Sequence, residues 1–322
     1  MLRLDGHAGE VRAVAFTPAG RVVSGGADKT VRVWDPASGT CVTATRAKAP
    51  VYAVAVAPDG SAVAFAGRTP PRTPVNVVTR IDPATGAVKG RHELRTEDDV
   101  VRFDRATFEV TRTREPVPRS IWALSYSADG QFLAAAYRKP GGGNIPVGAG
   151  GHVWRWDDPT GRPLPRNDIY SVQCAPDGVA LAVTAESRVL FYEAPDQLDS
   201  PVEYPLQCSW AAGVALAPHG ETAVVAAGSF LHCVGTTQSR KLWKVKTGLR
   251  TLNAVAVSPD GRVVIAGGSP KAVEVYDAAT GAKLAAYDFG VGSVHGVAFA
   301  PDGLTFAVAG YDGLIVCDTA FG

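Results

Sequence analysis

The sequence predicts an all-β chain folded as a seven-bladed β-propeller, with four-stranded antiparallel sheets set around one axis. Three observations carry that reading. Short runs rich in Val and Ala alternate with polar residues and end at turns of Gly, Pro and Asp, which is strand patterning rather than helix patterning. One such unit recurs along the chain, its turn glycines (Gly20, Gly60, Gly130, Gly178, Gly220, Gly261 and Gly303) lying 40, 70, 48, 42, 41 and 42 residues apart. A period of about 41 residues holding four short strands is that of a propeller blade.

The first unit shows the design most completely. VRAVAF alternates and closes at Pro18-Ala19-Gly20, RVVSGG closes at Ala27-Asp28-Lys29, and VRVW closes at Asp35. The same turn then follows VYAVAV, IWALSY, IYSVQC, AAGVAL, LNAVAV and VHGVAF. The closing Asp recurs in VRVWDPASG, VTRIDPATG, VWRWDDPTG, VEVYDAATG and LIVCD. After Asp318 only four residues remain, too few for a fourth strand in blade 7. Met1 to Leu4 are therefore expected to pair as that outer strand, closing the ring and removing its open edge.

Gly6-His7, Asp28 and Trp34-Asp35, in phase with seven such units, resemble the WD40-repeat family over the whole chain. The resemblance implies one propeller domain over residues 1–322, and a structural tetrad of His7, Ser24, Asp28 and Trp34 bonded within blade 1. Later units depart from the signature. Blade 3 keeps Trp156-Asp157, while Ile81, Phe191 or Tyr192, Cys233 or Val234, Tyr276 and Cys317 stand near the Trp place elsewhere. Most blades must then be held by packing of Ala, Val and Gly.

Two units exceed the period. Blade 2 is longer than the norm within residues 67–119, and blade 3 within 137–151. Both 78–94 and 100–115 fit the outer hairpin of blade 2; the first is favoured. In an antiparallel blade the second-to-third and fourth-to-first loops share an end, so the surplus falls on one face over blades 2 and 3. It carries Arg68, Arg72, Arg102, Arg105, Arg112, Arg114, Arg119 and Lys139 among Glu97, Asp98, Asp99 and Asp104. It reads either as a solvated excursion or as a lip whose mixed charge suits a protein partner. Asp98-Asp99 reads as a solvated turn rather than a calcium site.

The totals narrow the function classes. Hydrophobic residues make up 46% and charged residues 20%, a soluble globular composition, and Arg outnumbers Lys as in a bacterium of high genomic GC. A net charge of +1 argues against a nucleic-acid partner held by bulk charge. The five cysteines (Cys41, Cys174, Cys208, Cys233 and Cys317) form no CxxC pair and read as buried reduced thiols. No apolar leader and no run of 18 apolar residues occur, so a cytoplasmic protein that neither enters nor spans a membrane is expected.

The second residue of each inner strand falls at an equivalent place, near the narrow mouth of the central channel. Across the blades these are Arg12, Tyr52, Trp122, Tyr170, Ala212, Asn253 and His295. Their neighbours are small and apolar, so a position filled by Arg, aromatics, Asn and His does not follow core logic. It reads as a ligand-binding ring, since aromatics and Arg carry interface energy, or as a plug of the mouth. No GxSxG elbow, no phosphate loop and no set of metal ligands stands out; Gly141-Gly142-Gly143 lacks a following Lys-Ser, and His232-Cys233 point to opposite faces of a strand. The expected function is a non-enzymatic, monomeric interaction scaffold without cofactor, binding a peptide or protein loop. The alternatives are a hydrolase- or lactonase-type propeller enzyme using the channel, and a subunit that assembles through its rim.

Overall fold

The computed structural model describes residues 1–68, 75–95, 97–103, 110–116, 120–138, 150–158, 161–164, 169–175, 181–185, 187–195, 197–208, 210–238 and 240–319. At 75, 94–95, 97–103, 110–116 and 138 it describes the backbone. Seven four-stranded antiparallel sheets form the blades of a β-propeller. Their inner strands are Val11–Phe16, Val51–Val56, Ser120–Tyr126, Ser171–Cys174, Ala211–Leu216, Thr251–Val257 and Val294–Phe299.

The core is divided among the seams between blades. Each of seven buried clusters draws its side chains from two neighbouring sheets, and the seventh joins blade 7 to blade 1. A sheet apolar on both faces needs a neighbour on each side, which is why second strands such as Val22–Gly26 and Leu181–Ala185 are buried throughout. Closure follows the expected route. Leu2 pairs with Val316 and Arg3 with Ile315, the Leu4 amide donates to the Leu314 carbonyl at 2.9 Å, and the Leu4 side chain is buried in the last seam.

The recurring turns have a local cause. Gly20 stands at φ 78° and its counterparts Gly60, Gly130, Gly220, Gly261 and Gly303 at 67–71°, a left-handed conformation that glycine adopts without steric cost. The Pro176-Asp177-Gly178 turn lies outside the described residues. The closing Asp works differently: the Asp35, Asp82 and Asp277 carboxylates accept amide hydrogens from Ala37, Ala84 and Thr280 at 2.8–2.9 Å and fold the next turn back.

The outer strands of blade 2 are Val75–Ile81 and Val88–Arg95, the favoured choice. Glu97–Phe103 and Val110–Pro116 pair as a separate two-stranded hairpin. Asp98 and Asp99 lie within its first strand, opposite Glu115 and Arg114, so the expected turn at that place is corrected. Arg72, Arg105, Arg119, Lys139, Asp104 and the triglycine at 141–143 lie outside the described residues. The cysteines are all free; Cys174, Cys233 and Cys317 are buried, but Cys208 is only half-buried and Cys41 is exposed, because it stands on the outer strand of blade 1.

Blade 3 also differs from the sequence reading. Trp154, paired with Leu133, takes the interior place that Trp34 takes opposite Val22 and Tyr276 takes opposite Val264. Trp156 falls beyond the end of the strand Gly150–Arg155, and its indole donates to the Tyr126 hydroxyl at 3.3 Å. The two-residue pleat places both tryptophans on one face, so the sequence alone does not separate them.

Candidate functional site

The ring positions share a backbone feature. At Arg12, Tyr52, Trp122, Ala212, Asn253 and His295 the ladder between the first and second strands skips one residue, a β-bulge in each case. Tyr170 lies just ahead of its strand, its amide donating to the Thr184 carbonyl at 2.8 Å. A bulge leaves its extra residue out of the pairing and re-aims the side chain, so these residues turn to the channel while their neighbours stay in the seams. All seven line one cavity of about 930 Å³, which runs along the axis to Pro218, Pro259 and Pro301.

Three of them interlock. The Tyr52 and Trp122 rings lie 4.5 Å apart at 34°, and the Arg12 guanidinium sits over the Tyr52 ring at 4.9 Å. This stack crosses blades 1, 2 and 3, and Trp122 remains 37% exposed at its end. Arg12 also forms an ion pair with Glu10. Tyr170 is buried, and the Asn253 side-chain amide donates to the Val294 carbonyl at 2.8 Å, which ties blade 6 to blade 7. Burial, together with the positive charge of Arg12, lowers the His295 pKa, so the ring is neutral at pH 7. Its Nε2 and the Nε of Arg12 are shielded from water with no hydrogen-bond partner among the described residues.

Sequence reasoning missed two contributors. Trp210 lines the same cavity in blade 5, where Ala212 offers no bulk. It stands one residue ahead of the strand, outside the register that defined the ring, and a large aromatic preceding AAGVAL was its only signal. Glu10, which neutralises Arg12, likewise precedes its strand. Among the described residues no three His, Cys, Asp or Glu side chains gather on one point.

The blade 1 residues form one chain of hydrogen bonds. Trp34 Nε1–H donates to Ser24 Oγ at 2.8 Å, and Ser24 Oγ stands 2.7 Å from His7 Nε2. His7 Nδ1 lies 2.9 Å from Asp28, which also accepts from the Ala8 amide at 3.1 Å and the Thr30 hydroxyl at 2.8 Å. The indole can only donate, so Ser24 passes its own hydrogen to Nε2, and the His7 proton sits on Nδ1 facing the carboxylate. These bonds stitch the entry loop to the second and third strands and hold the approach to Arg12.

The family model described as "WD domain, G-beta repeat" matches residues 1–35 and 286–317, the two ends that meet in blades 7 and 1. The chain is also similar to the protein called eukaryotic translation initiation factor 3 subunit I in two yeasts. The identity to the Vanderwaltozyma polyspora protein is 22% over 290 residues, covering 82% of this chain and 76% of that one. To the Kluyveromyces lactis protein it is 21% over 283 residues, with the same coverage of both.

Proposed function

Since this chain belongs to the WD40-repeat β-propeller family, we propose that it is a non-enzymatic scaffold that docks a peptide or protein loop at the ring of the central channel. The observation that carries the reading is the Arg12–Tyr52–Trp122 stack at the mouth of the cavity. A plug would bury its aromatics, whereas here a large indole keeps over a third of its surface exposed, beside unpartnered nitrogens of Arg12 and His295. Such a group offers the flat apolar face of an aromatic to an incoming segment, the kind of side chain that concentrates binding energy at interfaces. The relatives bear the name of a subunit of a translation initiation factor, which supports a place among protein partners in the cytoplasm.

Capture of native partners from lysate, comparing wild type with Trp122→Ala and Arg12→Ala, tests this. Loss of a hot-spot aromatic should weaken capture by about 2 kcal/mol or more, some thirtyfold. Unchanged capture by both variants overturns the ring as docking site and favours assembly through the rim. The enzymatic alternative would draw on Asn253 and His295; a bound metal in the native protein, lost on replacing either residue, would establish it.

A further inference from the structure

The seam between blades 1 and 2 opens into a cleft. Propeller sheets splay apart toward the rim, and the widening wedge must be filled by side chains. On the face of blade 2 turned to blade 1, the outer strands present Val77 opposite Glu93 and Thr79 opposite Arg91, with Val88 opposite Ile81. Val77, Thr79 and Val88 are short side chains for the widest part of the wedge. A cavity of about 550 Å³ remains, bounded on the other side by residues 45–51, and Val77 and Val88 stay 37% and 48% exposed at its wall.

Its electrostatics are lopsided. Among the described residues, Arg46, Lys48, Arg68 and Arg91 line it against a single carboxylate, Glu93. None of the four cations has an ion-pair or hydrogen-bond partner for its side chain among the described residues. Arg3, Arg12, Lys89, Arg155, Arg188 and Lys283 by contrast each sit beside an Asp or Glu. The cleft is also continuous with the ring. A second cavity of about 620 Å³ shares Pro50 and Arg68 with the cleft, and Arg12 and Tyr52 with the channel.

We propose that the cleft between blades 1 and 2 is a docking site for an acidic peptide, its carboxylates held by Arg46, Lys48, Arg68 and Arg91 and its apolar side chains seated on Val77 and Val88. This deepens the reading of the ring by giving the partner its chemistry. Charge complementarity selects the acid, and the valine walls select a chain that carries apolar side chains as well. A nucleic acid would want a broad basic face and exposed stacking aromatics; this basic set is confined to one cleft, whose aromatic, Phe65, is buried while its exposed apolar surface is Val77 and Val88, and the net charge is +1.

The probe is a fluorescein-labelled octapeptide of Glu-Asp pairs separated by Leu and Val, read by anisotropy at low and high salt. Saturable binding that weakens with salt, and falls about tenfold or more in Arg46→Glu/Lys48→Glu, is expected. Arg91→Gln gives a milder variant, and an unchanged melting temperature certifies each fold. Loss in the cleft variants with retention in Trp122→Ala supports the cleft whatever the fate of the ring reading; loss in both supports a peptide spanning the two. Loss in Trp122→Ala alone overturns the cleft and leaves the ring. Absence of saturable binding, equal binding of the Gln-Asn analogue, or tighter binding of a single-stranded oligonucleotide or phosphatidylserine vesicles through the same residues also overturns it.

Discussion

Replacing Ser24 with alanine removes one oxygen atom from a site with no exposure to solvent, and it orphans two groups at once. Trp34 Nε1–H loses its acceptor and His7 Nε2 loses its donor, and neither can turn to water, because Trp34 is wholly buried and the His7 side chain is 2% exposed. Each unsatisfied buried group costs about 1–3 kcal/mol, so the substitution should cost about 2–6 kcal/mol. A chain of 322 residues has an unfolding entropy of about 0.7 kcal/mol/K, which converts the cost to a fall of about 3–9 °C in Tm. Calorimetry gives the Tm, and urea unfolding followed by tryptophan fluorescence gives the free energy. A cycle with Trp34→Phe isolates the bond: once Ser24 is gone, removing the indole nitrogen removes a group already orphaned, so the double variant should lose about 1 kcal/mol less than the sum. Strictly additive losses, or a cost for Ser24→Ala below about 0.5 kcal/mol, would refute the hydrogen-bonded chain as a source of stability.

Deleting residues 1–5 removes the outer strand of blade 7 and the buried Leu4, whose loss alone is worth about 2–5 kcal/mol, so thermal unfolding should come much earlier and the exposed edge should appear as self-association in size exclusion. Acid should weaken blade 1 in two stages. Burial lowers the His7 pKa below its ordinary 6.5, so the unfolded chain takes up a proton that the folded one refuses, and stability falls as pH drops below that value. Burial would raise Asp28, but hydrogen bonds from Thr30, Ala8 and His7 and the His7 charge hold it below its ordinary 3.8, so its contribution is lost as pH falls through the depressed value. Urea midpoints across pH for wild type and Asp28→Asn would check both, the variant lacking the lower stage. In blade 6 the buried Glu274 accepts from the Tyr276 hydroxyl at 2.5 Å, the Gly248 amide at 3.0 Å and Lys283; Glu274→Ala should cost about 3–5 kcal/mol in the same assay, and Glu274→Gln less.

The sequence made legible what repeats and left obscure what occurs once. Seven turn glycines in phase are enough to place inner strands and ring residues, because a period constrains every unit together. Why the ring residues leave the core was not legible: the bulge is a property of the ladder between two strands, and VRAVAF read alone is an unbroken alternation. Trp154 and Trp156 illustrate a related limit. A long insertion ahead of the strand hides its register, and only pairing with Leu133 shows which indole lies inside. Trp210 and Glu10 escaped because they fall outside the repeating frame, and Cys41 because exposure on an outer strand depends on what covers it.

Seam filling connects the fold to the places where it can bind. Trp34 fills the wedge between blades 7 and 1, and Trp154 stacks on His92 at 4.9 Å to fill that between blades 2 and 3. Trp243 and Tyr276 fill the wedge between blades 5 and 6, where the Trp243 indole donates to the Ala278 carbonyl at 2.8 Å. Between blades 1 and 2 the buried cluster is Val, Ile and one aromatic, Phe65. Aliphatic side chains close the inner part of that wedge, where the sheets are near each other, and fall short at the rim, where they diverge. A chain that keeps a bulky aromatic in some seams and drops it from another has therefore set the position of its cleft by side-chain size. The cations that collect there occupy a surface the fold had no other means to cover.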